Sequence, residues 1–329
     1  MPSSVVDLVG HARRPLVVTH EHPDADTIGA ALAVAQLVEA RGGRADLVCS
    51  DPIPELYAFM PGVERFTVDP RADTGYDLLV VCDCGSLDRI GPVRERHRAL
   101  FEGLPRVVVD HHLSNDASGR TDWIDPASAA TCEMVTLLAS RLDTPLDANG
   151  GALATALMSG IVMDTATFAH PNATPRTLMV SAALVAAGAP LSDISRRLYR
   201  TKPDAQLRLF GRVLDRLETS EDGRLIWSTL LDADLAATAT DPAHSEGLID
   251  LLAQSDRAEV ALLFKEQPAG DTRVSVRTRA GGVDATVLTA LFGGGGHARA
   301  AGATVPLPIA EARPVVLAEA ARLAALVGR

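Results

Sequence analysis

The sequence predicts an α/β protein: an N-terminal domain built on a parallel β-sheet, a helical connector, and a smaller α/β domain at the C-terminus. Short runs rich in valine and leucine alternate with segments of helical periodicity in the first part of the chain. These runs are apolar throughout, as expected of parallel strands that helices cover on both faces. A series of helical patterns follows, and strand patterns return after it.

The N-terminal region contains four predicted strands. They lie at Pro15–Thr19, Ala45–Cys49, Asp77–Asp83 and Arg106–Asp110. The clearest helices between them are predicted at Thr27–Arg41 and Val93–Phe101. Gly42 and Gly43 end the first helix, since glycine readily takes the left-handed conformation that follows many helices. The prolines at positions 52, 54, 61 and 70 permit only short elements around them.

Successive helices and then a second strand-containing region follow. The helices are predicted at Ser128–Arg141, Gly150–Phe168, Pro175–Ala187, Asp193–Tyr199 and Pro203–Thr219. A turn comes next, and the strands after it are predicted at Leu225–Leu230, Glu259–Glu266, Thr272–Thr278 and Ala303–Val305. Further helices are expected near His244–Ala253, at Asp284–Leu291 and from Ile309. The change of pattern between Pro190 and Pro203 predicts a domain boundary, which we place between residues 195 and 196.

The composition favours short ligands over long nucleic acids. The 329 residues carry a formal net charge of −11, whereas a protein that follows long nucleic acid neutralises many phosphates with basic side chains. No apolar run is long enough to span a membrane, and the N-terminus has no signal-peptide pattern. We therefore expect a cytoplasmic protein that does not bind membranes. Short phosphorylated ligands stay possible, because bound cations can supply local positive charge.

The cysteines predict neither a disulfide framework nor a zinc site. The four of them are Cys49, Cys82, Cys84 and Cys132, and their spacing matches neither pattern. Cys82 and Cys84 flank Asp83 at the end of a strand, so their side chains should lie on the opposite face from that of Asp83. We expect buried thiols at these positions.

The stretch Val17–Gly29 carries the first candidate site residues. A short apolar run ends at His20, a helix begins near Thr27, and Asp24 and Asp26 lie on the turn between them. Turns at the carboxyl ends of parallel strands are where open α/β sheets bind ligands. One imidazole and two carboxylates suit a divalent cation that takes nitrogen and oxygen ligands. The alternative is a polar turn in which Asp26 caps the helix and His20 has no role in binding.

Further acidic and histidine residues lie at the ends of predicted elements. Asp83 follows an apolar strand, Asp110, His111 and His112 close the next one, and Asp164 lies in an otherwise apolar helix. Each of these alone fits a structural role, such as a cap at the end of a strand. Because the carboxyl ends of parallel strands share one edge of a sheet, residues far apart in sequence can converge there. The combination therefore favours one shared site.

A glycine run near the C-terminus is the third candidate feature. Gly293–Gly296 is followed by His297, and glycines let backbone N–H groups approach an anion without an intervening side chain. Alternation along the preceding strand places Ser275, Arg277 and Arg279 on one face. This arrangement favours binding of a phosphate or nucleotide. The alternatives are a flexible connector at the glycines and a solvated Arg279.

These motifs together resemble those of the DHH phosphoesterases. The residues that carry the resemblance are His20, Asp24, Asp26, Asp83, Asp110, His111, His112 and Asp164 for the DHH domain, and Gly293–His297 with Ala300–Gly302 for the DHH-associated C-terminal domain. The chain is most similar to the group of nano-RNases and 3′-phosphoadenosine-5′-phosphate (pAp) phosphatases. The resemblance implies a catalytic DHH domain at residues 1–195 and a substrate-binding DHH-associated domain at residues 196–329.

The resemblance also implies two divalent cations. One would be held by His20, Asp24 and Asp83, and the other by Asp26, Asp83, His111 and Asp164, with Asp83 bridging the two. Mixed imidazole and carboxylate ligation favours Mn²⁺, with Mg²⁺ or Co²⁺ as alternatives. His112 is implied to contact the scissile phosphate, as a charge stabiliser or as the proton donor to the leaving oxygen. Asp110 is implied to orient a histidine, and its alternative role is that of a strand-end cap.

The expected activity is hydrolysis of short nucleotides by a metal-dependent phosphoesterase. The implied substrate-binding residues are Ser275, Arg277, Gly294, Gly295, Gly296 and His297. The implied substrates are oligoribonucleotides of a few residues, linear or cyclic di-adenosine nucleotides, and pAp, and family analogy predicts a homodimer. One departure concerns substrate preference: Ala166 stands where the group has glycine, and Thr167–His170 replaces a more basic segment. His170 is interpreted as a surface histidine, and the alternative is that it compensates for the missing basic residues.

Three other functions on the same fold are less consistent with the sequence. A manganese pyrophosphatase has a C-terminal signature rich in lysine and arginine, whereas this chain has the glycine run there, and its only lysines are Lys202 and Lys265. A catalytically silent nucleotide sensor is expected to lack a metal ligand, and none is missing here. A RecJ-type exonuclease carries additional DNA-binding domains and a more basic surface.

Overall fold

The computed structural model describes residues 1–72, 74–112, 115, 119 and 121–327. The chain divides into two compact units, Met1–Thr201 and Lys202–Arg329. The division falls inside the range that the sequence pattern indicated, and the domain boundary between residues 195 and 196 stays a prediction. Each unit has its own sheet and its own buried core.

The N-terminal unit is built on a parallel sheet, which confirms the predicted fold class. Its strands are β1 (Pro15–Val18), β2 (Asp46–Val48), β3 (Phe66–Thr67), β4 (Leu78–Cys82), β5 (Arg106–Asp110) and β6 (Trp123–Ile124). Its helices are α1 (Ser3–His11), α2 (Ala25–Glu39), α3 (Pro92–Arg96), α4 (Arg98–Gly103), α5 (Thr131–Arg141), α6 (Ala148–Thr165), α7 (Pro175–Ala186) and α8 (Leu191–Ser195). Over the described residues the strand order is β3-β2-β1-β4-β5-β6.

Helices cover both faces of this sheet, so successive residues of each strand pack into different cores. Val17 and Val80 belong to the core formed with α2, α5 and α6. Leu16 and Val81 point to the other face and pack with residues of the β4–α4 region, among them Phe101. This double burial explains why the strands are apolar throughout.

The chain order reverses between β1 and β4. From β1 the chain passes to β2 and β3 on one side, and it returns with β4 on the other side of β1. Such a reversal leaves a crevice outside the carboxyl ends of the two strands, where α/β proteins bind ligands. His20 lies two residues after the end of β1, and Asp83 lies directly after β4. The topology thus brings the first motif and the second together.

Helices α2 and α6 approach each other closely below this crevice. A Cβ atom at Gly29 would lie 2.3 Å from the carbonyl oxygen of Ala156, and one at Gly160 would lie 2.3 Å from Oδ1 of Asp26. Glycine at both positions lets the two backbones approach to a distance that any side chain would prevent. The apolar, almost completely buried α2 is held in place by this contact.

The C-terminal unit has a mixed sheet. Its strands are β7 (Glu218–Thr219), β8 (Leu225–Leu230), β9 (Val260–Glu266), β10 (Thr272–Thr278), β11 (Gly295–His297) and β12 (Ala300–Val305), in the order β11-β12-β10-β9-β8-β7 over the described residues. Its helices are α9 (Asp204–Leu214), α10 (Asp232–Thr238), α11 (Leu248–Leu252), α12 (Ala285–Ala290) and α13 (Ile309–Val327). Strands β8 and β9 are parallel, and the other neighbours are antiparallel.

Several predicted helices differ from those in the structure. The helix predicted at Val93–Phe101 is interrupted at His97, and the one predicted at Pro203–Thr219 ends at Leu214. Its last two residues form the edge strand β7 instead. The segment His244–Ala253 contains a short 3₁₀ turn and α11, separated by Gly247 in the left-handed conformation (φ 83°). Backbone angles at these residues decide where a helix is interrupted or ends, and the spacing of apolar residues does not reveal those angles.

No single helix in the described part of the chain has the length and hydropathy that crossing a membrane requires. Helix α7 and the segment Leu191–Arg200 are long and apolar enough only when they are taken together, and they are bent by 114° relative to each other. The four cysteines are free and buried, as the sequence predicted.

Candidate metal centre

The fold brings together the side chains that the sequence proposed as metal ligands. They are contributed by the loops after β1, β4 and β5, by α2 and by α6. The donor atoms of three groups lie within 4.8 Å of one another, and these groups are His20, Asp24 and Asp83; Asp26, His111 and Asp164; and Asp83, His111 and His112. Asp83 and His111 each belong to two of the three groups, so the groups form one continuous site.

Asp24 divides its two carboxylate oxygens between two roles. Oδ1 accepts hydrogen bonds from the N–H groups of Asp26 (2.9 Å) and Thr27 (3.1 Å) and thereby caps α2. Oδ2 lies 3.9 Å from Nε2 of His20 and is free to bind a cation. The alternative in which Asp26 caps this helix is wrong, because Asp24 is the residue at its N-cap. Capping fixes the rotamer of Asp24 and so positions its second oxygen.

Asp26 is completely buried and is held by the start of another helix. Oδ2 accepts a hydrogen bond from the N–H of Thr131 (2.7 Å), and Oδ1 accepts one from the N–H of Cys132 (2.9 Å). Ala130, the residue before α5, supplies no side-chain cap, so a carboxylate more than a hundred residues away takes that role. Burial raises the pKa of Asp26, although nearby His111 opposes the shift.

His20 presents Nε2 to the site as a neutral imidazole. Its Nδ1 lies 2.7 Å from the carbonyl oxygen of Glu21, which can only accept, so Nδ1 carries the proton and Nε2 carries the lone pair. Nε2 is the atom nearest to Asp83, at 3.8 Å from Oδ2. Burial lowers the pKa of His20. The tautomer and the protonation state are therefore those of a metal ligand.

Asp83 is the centre of the site. Its backbone takes the left-handed conformation (φ 59°), which turns the chain sharply at the end of β4. Oδ1 accepts a hydrogen bond from Oγ1 of Thr131 (2.9 Å) and lies 3.5 Å from Nε2 of His111. Burial raises the pKa of Asp83 well above its ordinary value, and the neighbouring carboxylates, of which Asp26 acts most strongly, add to the shift.

His111 and Asp164 form the other side of the site. Nε2 of His111 lies 3.0 Å from Oδ2 of Asp164. Burial disfavours a charged His111, but the hydrogen bond to Asp164 and the nearby Asp26 outweigh it and raise the pKa of His111 to about 9. Burial and the charge of Asp26 raise the pKa of Asp164 to about 7.

Asp110 orients His112 from behind. Oδ1 of Asp110 lies 2.7 Å from Nδ1 of His112, and Oδ2 accepts hydrogen bonds from the N–H of Gly85 (2.8 Å) and the amide of Asn115 (2.7 Å). Burial opposes ionisation of Asp110, but the hydrogen bonds from His112 and Asn115 lower its pKa. The carboxylate is thus fixed in its charged form, and it contacts His112 through Nδ1 of the ring and not through Nε2.

The donor set fits divalent cations. Four carboxylates, from Asp24, Asp26, Asp83 and Asp164, converge with two imidazoles, and their mutual repulsion raises the pKa of the most buried ones. Burying such a group of like charges without compensation is costly. One cation beside His20, Asp24 and Asp83 and another beside Asp26, His111 and Asp164 would remove this cost, and such nitrogen and oxygen donors suit divalent transition metals.

Three polar residues that sequence reasoning missed support the site. They are Thr131, which binds Asp83; Asn115, which binds Asp110; and Asn172, whose amide donates to the carbonyl oxygens of Ala129 (3.1 Å) and Asp164 (3.2 Å). His170 is exposed, as interpreted from the sequence, yet its Nδ1 also lies 3.1 Å from the carbonyl oxygen of Asp164. No local sequence pattern indicates the roles of Thr131, Asn115 and Asn172, because each contact joins residues of different elements or loops.

The backbone after Asp164 shows why glycine suits position 166, where this chain has alanine. Ala166, Thr167 and Phe168 all have positive φ angles (46°, 58° and 65°), a conformation that costs residues with a Cβ atom about 1–2 kcal/mol each. Thr165 Oγ1 accepts a hydrogen bond from the N–H of Phe168 (3.0 Å) and thus stabilises the turn. Glycine is the residue that takes this conformation without strain.

Replacing Ala166 with glycine should therefore raise the free energy of unfolding by up to about 1 kcal/mol, the strain relieved less the entropy that glycine adds to the unfolded chain. Chemical denaturation in the presence of a chelator measures this change. Ala187→Gly is the matched control, because Ala187 also follows a helix but has a negative φ of −81°. It should lower stability, and an equal loss at Ala166 would contradict the strain at that residue.

The proposed substrate-binding residues lie in the C-terminal unit. Ser275 and Arg277 lie on one face of β10, and Nε of Arg277 donates to Asp250 Oδ1 (2.7 Å). The glycine run is not wholly a loop: Gly295–His297 forms the edge strand β11, in which His297 pairs with Ala300. Gly294 lies against β12, because a Cβ atom there would meet the carbonyl oxygen of Gly302 at 2.3 Å. The role of these residues in binding stays a prediction.

Two family descriptions match the sequence. Residues 14–161 match the DHH family, N-terminal domain, and residues 227–325 match the DHHA1 domain. The first range contains all the proposed metal ligands except Asp164, which lies just beyond it. The second range contains Ser275, Arg277 and the glycine run.

Individual proteins are similar over most of the chain. The bifunctional oligoribonuclease and PAP phosphatase NrnA of Thermus thermophilus is 32% identical over 88% of this chain and 83% of that protein. The protein of the same name from Bacillus subtilis is 26% identical over 88% of this chain and 89% of its own length. The crystal structure of an exopolyphosphatase-related protein from Bacteroides fragilis superposes with a TM-score of 0.89 at 21% identity, covering 100% of this chain and 98% of that one. At that identity the structural likeness shows the fold.

Proposed function

The chain belongs to the DHH family of phosphoesterases and carries a DHHA1 domain, and from this membership we propose that it hydrolyses short nucleotides with two bound divalent cations. The observation that carries the proposal is the position of Asp83. Its carboxylate stands between His20 and Asp24 on one side and His111 on the other. A carboxylate placed in this way is suited to bridge two cations.

The residues have separate roles in this proposal. His20, Asp24 and Asp83 would hold one cation, and Asp26, Asp83, His111 and Asp164 would hold the second. When bound, such a pair lowers the pKa of a shared water molecule and neutralises the phosphoryl oxygens. Thr131 fixes one oxygen of Asp83, and the N-terminus of α5 fixes Asp26, so the ligands need little rearrangement on binding.

His112 is proposed to act on the substrate itself. Asp110 holds its Nδ1, which fixes the ring orientation. The free ring nitrogen can then stabilise charge on the scissile phosphate or donate a proton to the leaving oxygen. Ser275, Arg277, Gly294–Gly296 and His297 are proposed to bind other parts of the nucleotide, since arginine and backbone N–H groups are suited to phosphate oxygens.

The proposed substrates are oligoribonucleotides of a few residues, linear or cyclic di-adenosine nucleotides and pAp. The two NrnA relatives are bifunctional oligoribonucleases and PAP phosphatases by name, which supports this choice. The net charge of −11 supports short substrates over long ones, because a long RNA brings many phosphates that this chain cannot neutralise.

A substrate panel with Mn²⁺, resolved by product chromatography, tests the proposal. It contains a di-adenosine nucleotide, its cyclic counterpart, pAp, a short and a long RNA, and pyrophosphate. We expect mononucleotides from the short substrates and little turnover of the long RNA. Turnover of pyrophosphate alone would contradict the proposal and favour a pyrophosphatase. Binding of nucleotides without turnover of any substrate would favour a silent sensor.

A further inference from the structure

A cluster of cations lies on one face of the sheet in the C-terminal unit. It consists of Lys265 on β9 and Arg273 and Arg277 on β10, which we call the cationic patch. Arg273 stands directly opposite Lys265 in the antiparallel pair β9–β10. Arg273 and Arg277 are four residues apart on β10, so alternation places both on the same face. Like charges directly opposite each other destabilise a sheet, so stability does not explain this pairing.

Only one member of the cationic patch forms an ion pair among the described residues. Nε of Arg277 lies 2.7 Å from Oδ1 of Asp250. Nζ of Lys265 instead donates to Oγ of Ser245 (2.9 Å), and Nη1 of Arg273 donates to Oγ1 of Thr304 (3.3 Å). Glu246 acts on Lys265 only at longer range. Two positive charges of the patch are therefore left without a carboxylate partner.

The surroundings of the Lys265 side chain are unusual for a lysine. The side chain is partly buried, and its ammonium group depends on the hydroxyl of Ser245, whose own proton is donated to the carbonyl oxygen of Pro242 (2.7 Å). Burial lowers the pKa of Lys265, and Arg273 lowers it further. The sequence has only one other lysine, Lys202. A partly buried cation that faces another cation is typical of a site for an anionic ligand.

Arg273 and Ser275 lie on the same face of β10. Ser275 stands opposite Gly302 on β12. A Cβ atom at position 302 would lie 3.0 Å from Nη2 of Arg273 and 3.2 Å from the carbonyl oxygen of Val274. The guanidinium therefore lies next to Gly302, the residue that pairs with Ser275, and a larger residue at position 302 would displace it.

We propose that Lys265 and Arg273 bind a terminal phosphate of the nucleotide, distinct from the phosphate that is hydrolysed. The proposal rests on the proposed function, because it takes the anion to be part of the nucleotide substrate. An ammonium and a guanidinium supply several charge-assisted donors, and the patch carries two charges that a phosphate dianion can neutralise. The site favours nucleotides that end in a phosphate over those that end in a hydroxyl.

The test compares Lys265→Met and Arg273→Met with the unaltered protein on two substrates. One is a di-adenosine nucleotide with a 5′-phosphate, and the other is the same dinucleotide without it. We expect each variant to raise KM for the phosphorylated substrate by on the order of tenfold, the usual effect of losing one charge-assisted hydrogen bond. KM for the unphosphorylated substrate should change little. Lys202→Met and Arg322→Met, the latter at an exposed arginine of α13, are the matched controls, and they should leave both values unchanged.

Stability separates a binding role from a structural one. Because Lys265→Met removes a like charge from opposite Arg273, its Tm should be equal to or higher than that of the unaltered protein. A lower Tm together with equal losses on both substrates would overturn the proposal, since that result is expected of a residue that only maintains the fold. Arg273 is exposed, so the variant at that position should fold in either case.

Equilibrium binding keeps the test independent of catalysis. Calorimetry with AMP, adenosine and inorganic phosphate needs no turnover, so it still tests the patch if no nucleotide is hydrolysed and the proposed function fails. Weaker binding of AMP but not of adenosine in both variants would support the proposal. Loss of inorganic phosphate binding with unchanged KM for the phosphorylated dinucleotide would assign the patch to a free anion and overturn it.

Discussion

Replacing Asp83 with asparagine should abolish turnover of every substrate while the fold is retained. The asparagine amide is neutral and offers one oxygen in place of two, so it cannot bridge a cation beside His20 and another beside His111, as Asp83 is proposed to do. Loss of an outer residue that only supports a metal ligand lowers activity by roughly 10- to 100-fold. Loss of the bridging ligand itself should exceed that range.

Asparagine is a better replacement than alanine at this position. Asp83 has a φ of 59°, and asparagine tolerates the left-handed conformation that strains alanine. Oδ1 of asparagine can also still accept the hydrogen bond from Thr131. A loss of activity in Asp83→Asn therefore reports on the charge of the carboxylate, whereas Asp83→Ala would also change the backbone and leave the Thr131 hydroxyl without its partner.

The same variant should be more stable than the unaltered protein when both are free of metal. Burial and the nearby carboxylates raise the pKa of Asp83, so ionising it opposes folding, and a neutral side chain removes that opposition. We therefore expect the free energy of unfolding of the metal-free variant to be higher at neutral pH. Chemical denaturation in a chelator measures it.

Asp88→Asn provides the control for both measurements. Asp88 is an exposed carboxylate that pairs with Arg94 outside the candidate centre. Its replacement should change neither activity nor stability by much. Activity of Asp83→Asn close to that of the unaltered protein would contradict the bridging role. A large loss of stability in that variant would show that Asp83 acts through the fold and not through a cation.

The position of the site could be predicted from the sequence because it follows from one rule of topology. Apolar runs ending in His20, Asp83 and Asp110 predicted parallel strands, and parallel strands align their carboxyl ends at one edge of the sheet. The structure places these residues at that edge. Asp164 stood out as the carboxylate of an otherwise apolar helix, and the family resemblance assigned it to the second cation.

The supporting contacts could not be predicted, because they join residues that are distant in sequence. Asp26 is in the first turn of α2, where a local rule assigns an acidic residue to its own helix as a cap. In the structure it caps α5 instead, and Gly160 on α6 leaves the space that its carboxylate needs. Only the packing of three helices decides between these two roles.

The glycine run shows a second limit of local reasoning. Its composition predicts a loop that binds an anion, since glycine is common where the backbone is irregular. In the structure Gly295 and His297 pair with Gly302 and Ala300 in an edge strand. An edge strand still has unpaired N–H groups on its outer side, so the prediction of anion binding stays open while the predicted conformation is corrected.

Removing divalent cations with a chelator should silence the enzyme, and Mn²⁺ should restore more activity than Mg²⁺. The ligand set includes imidazole nitrogens from His20 and His111, which suit Mn²⁺ better than Mg²⁺. Activity titrations with each cation after chelation measure this. The best recovery with Zn²⁺ would contradict the assignment, and full activity in the chelator would exclude a cation at this site.

Metal binding should also be visible as stability, and its pH dependence identifies the ligands. A ligand at a hundred times its Kd stabilises a folded protein by about 2.7 kcal/mol, so Mn²⁺ should raise the Tm of the metal-free protein, and Asp83→Asn should lose most of that rise.

The pKa of Asp164 is raised to about 7, and that of Asp83 is raised as well, whereas unfolded aspartates ionise near a pKa of about 3.9. Between these values the two carboxylates bind more protons in the folded, metal-free protein than in the unfolded chain, so their contribution to stability falls as the pH rises from about 4 to about 7. Cations favour the ionised carboxylates, so the Tm increase on adding Mn²⁺ should grow over the same range. An increase that is independent of pH would mean that the cation binds elsewhere.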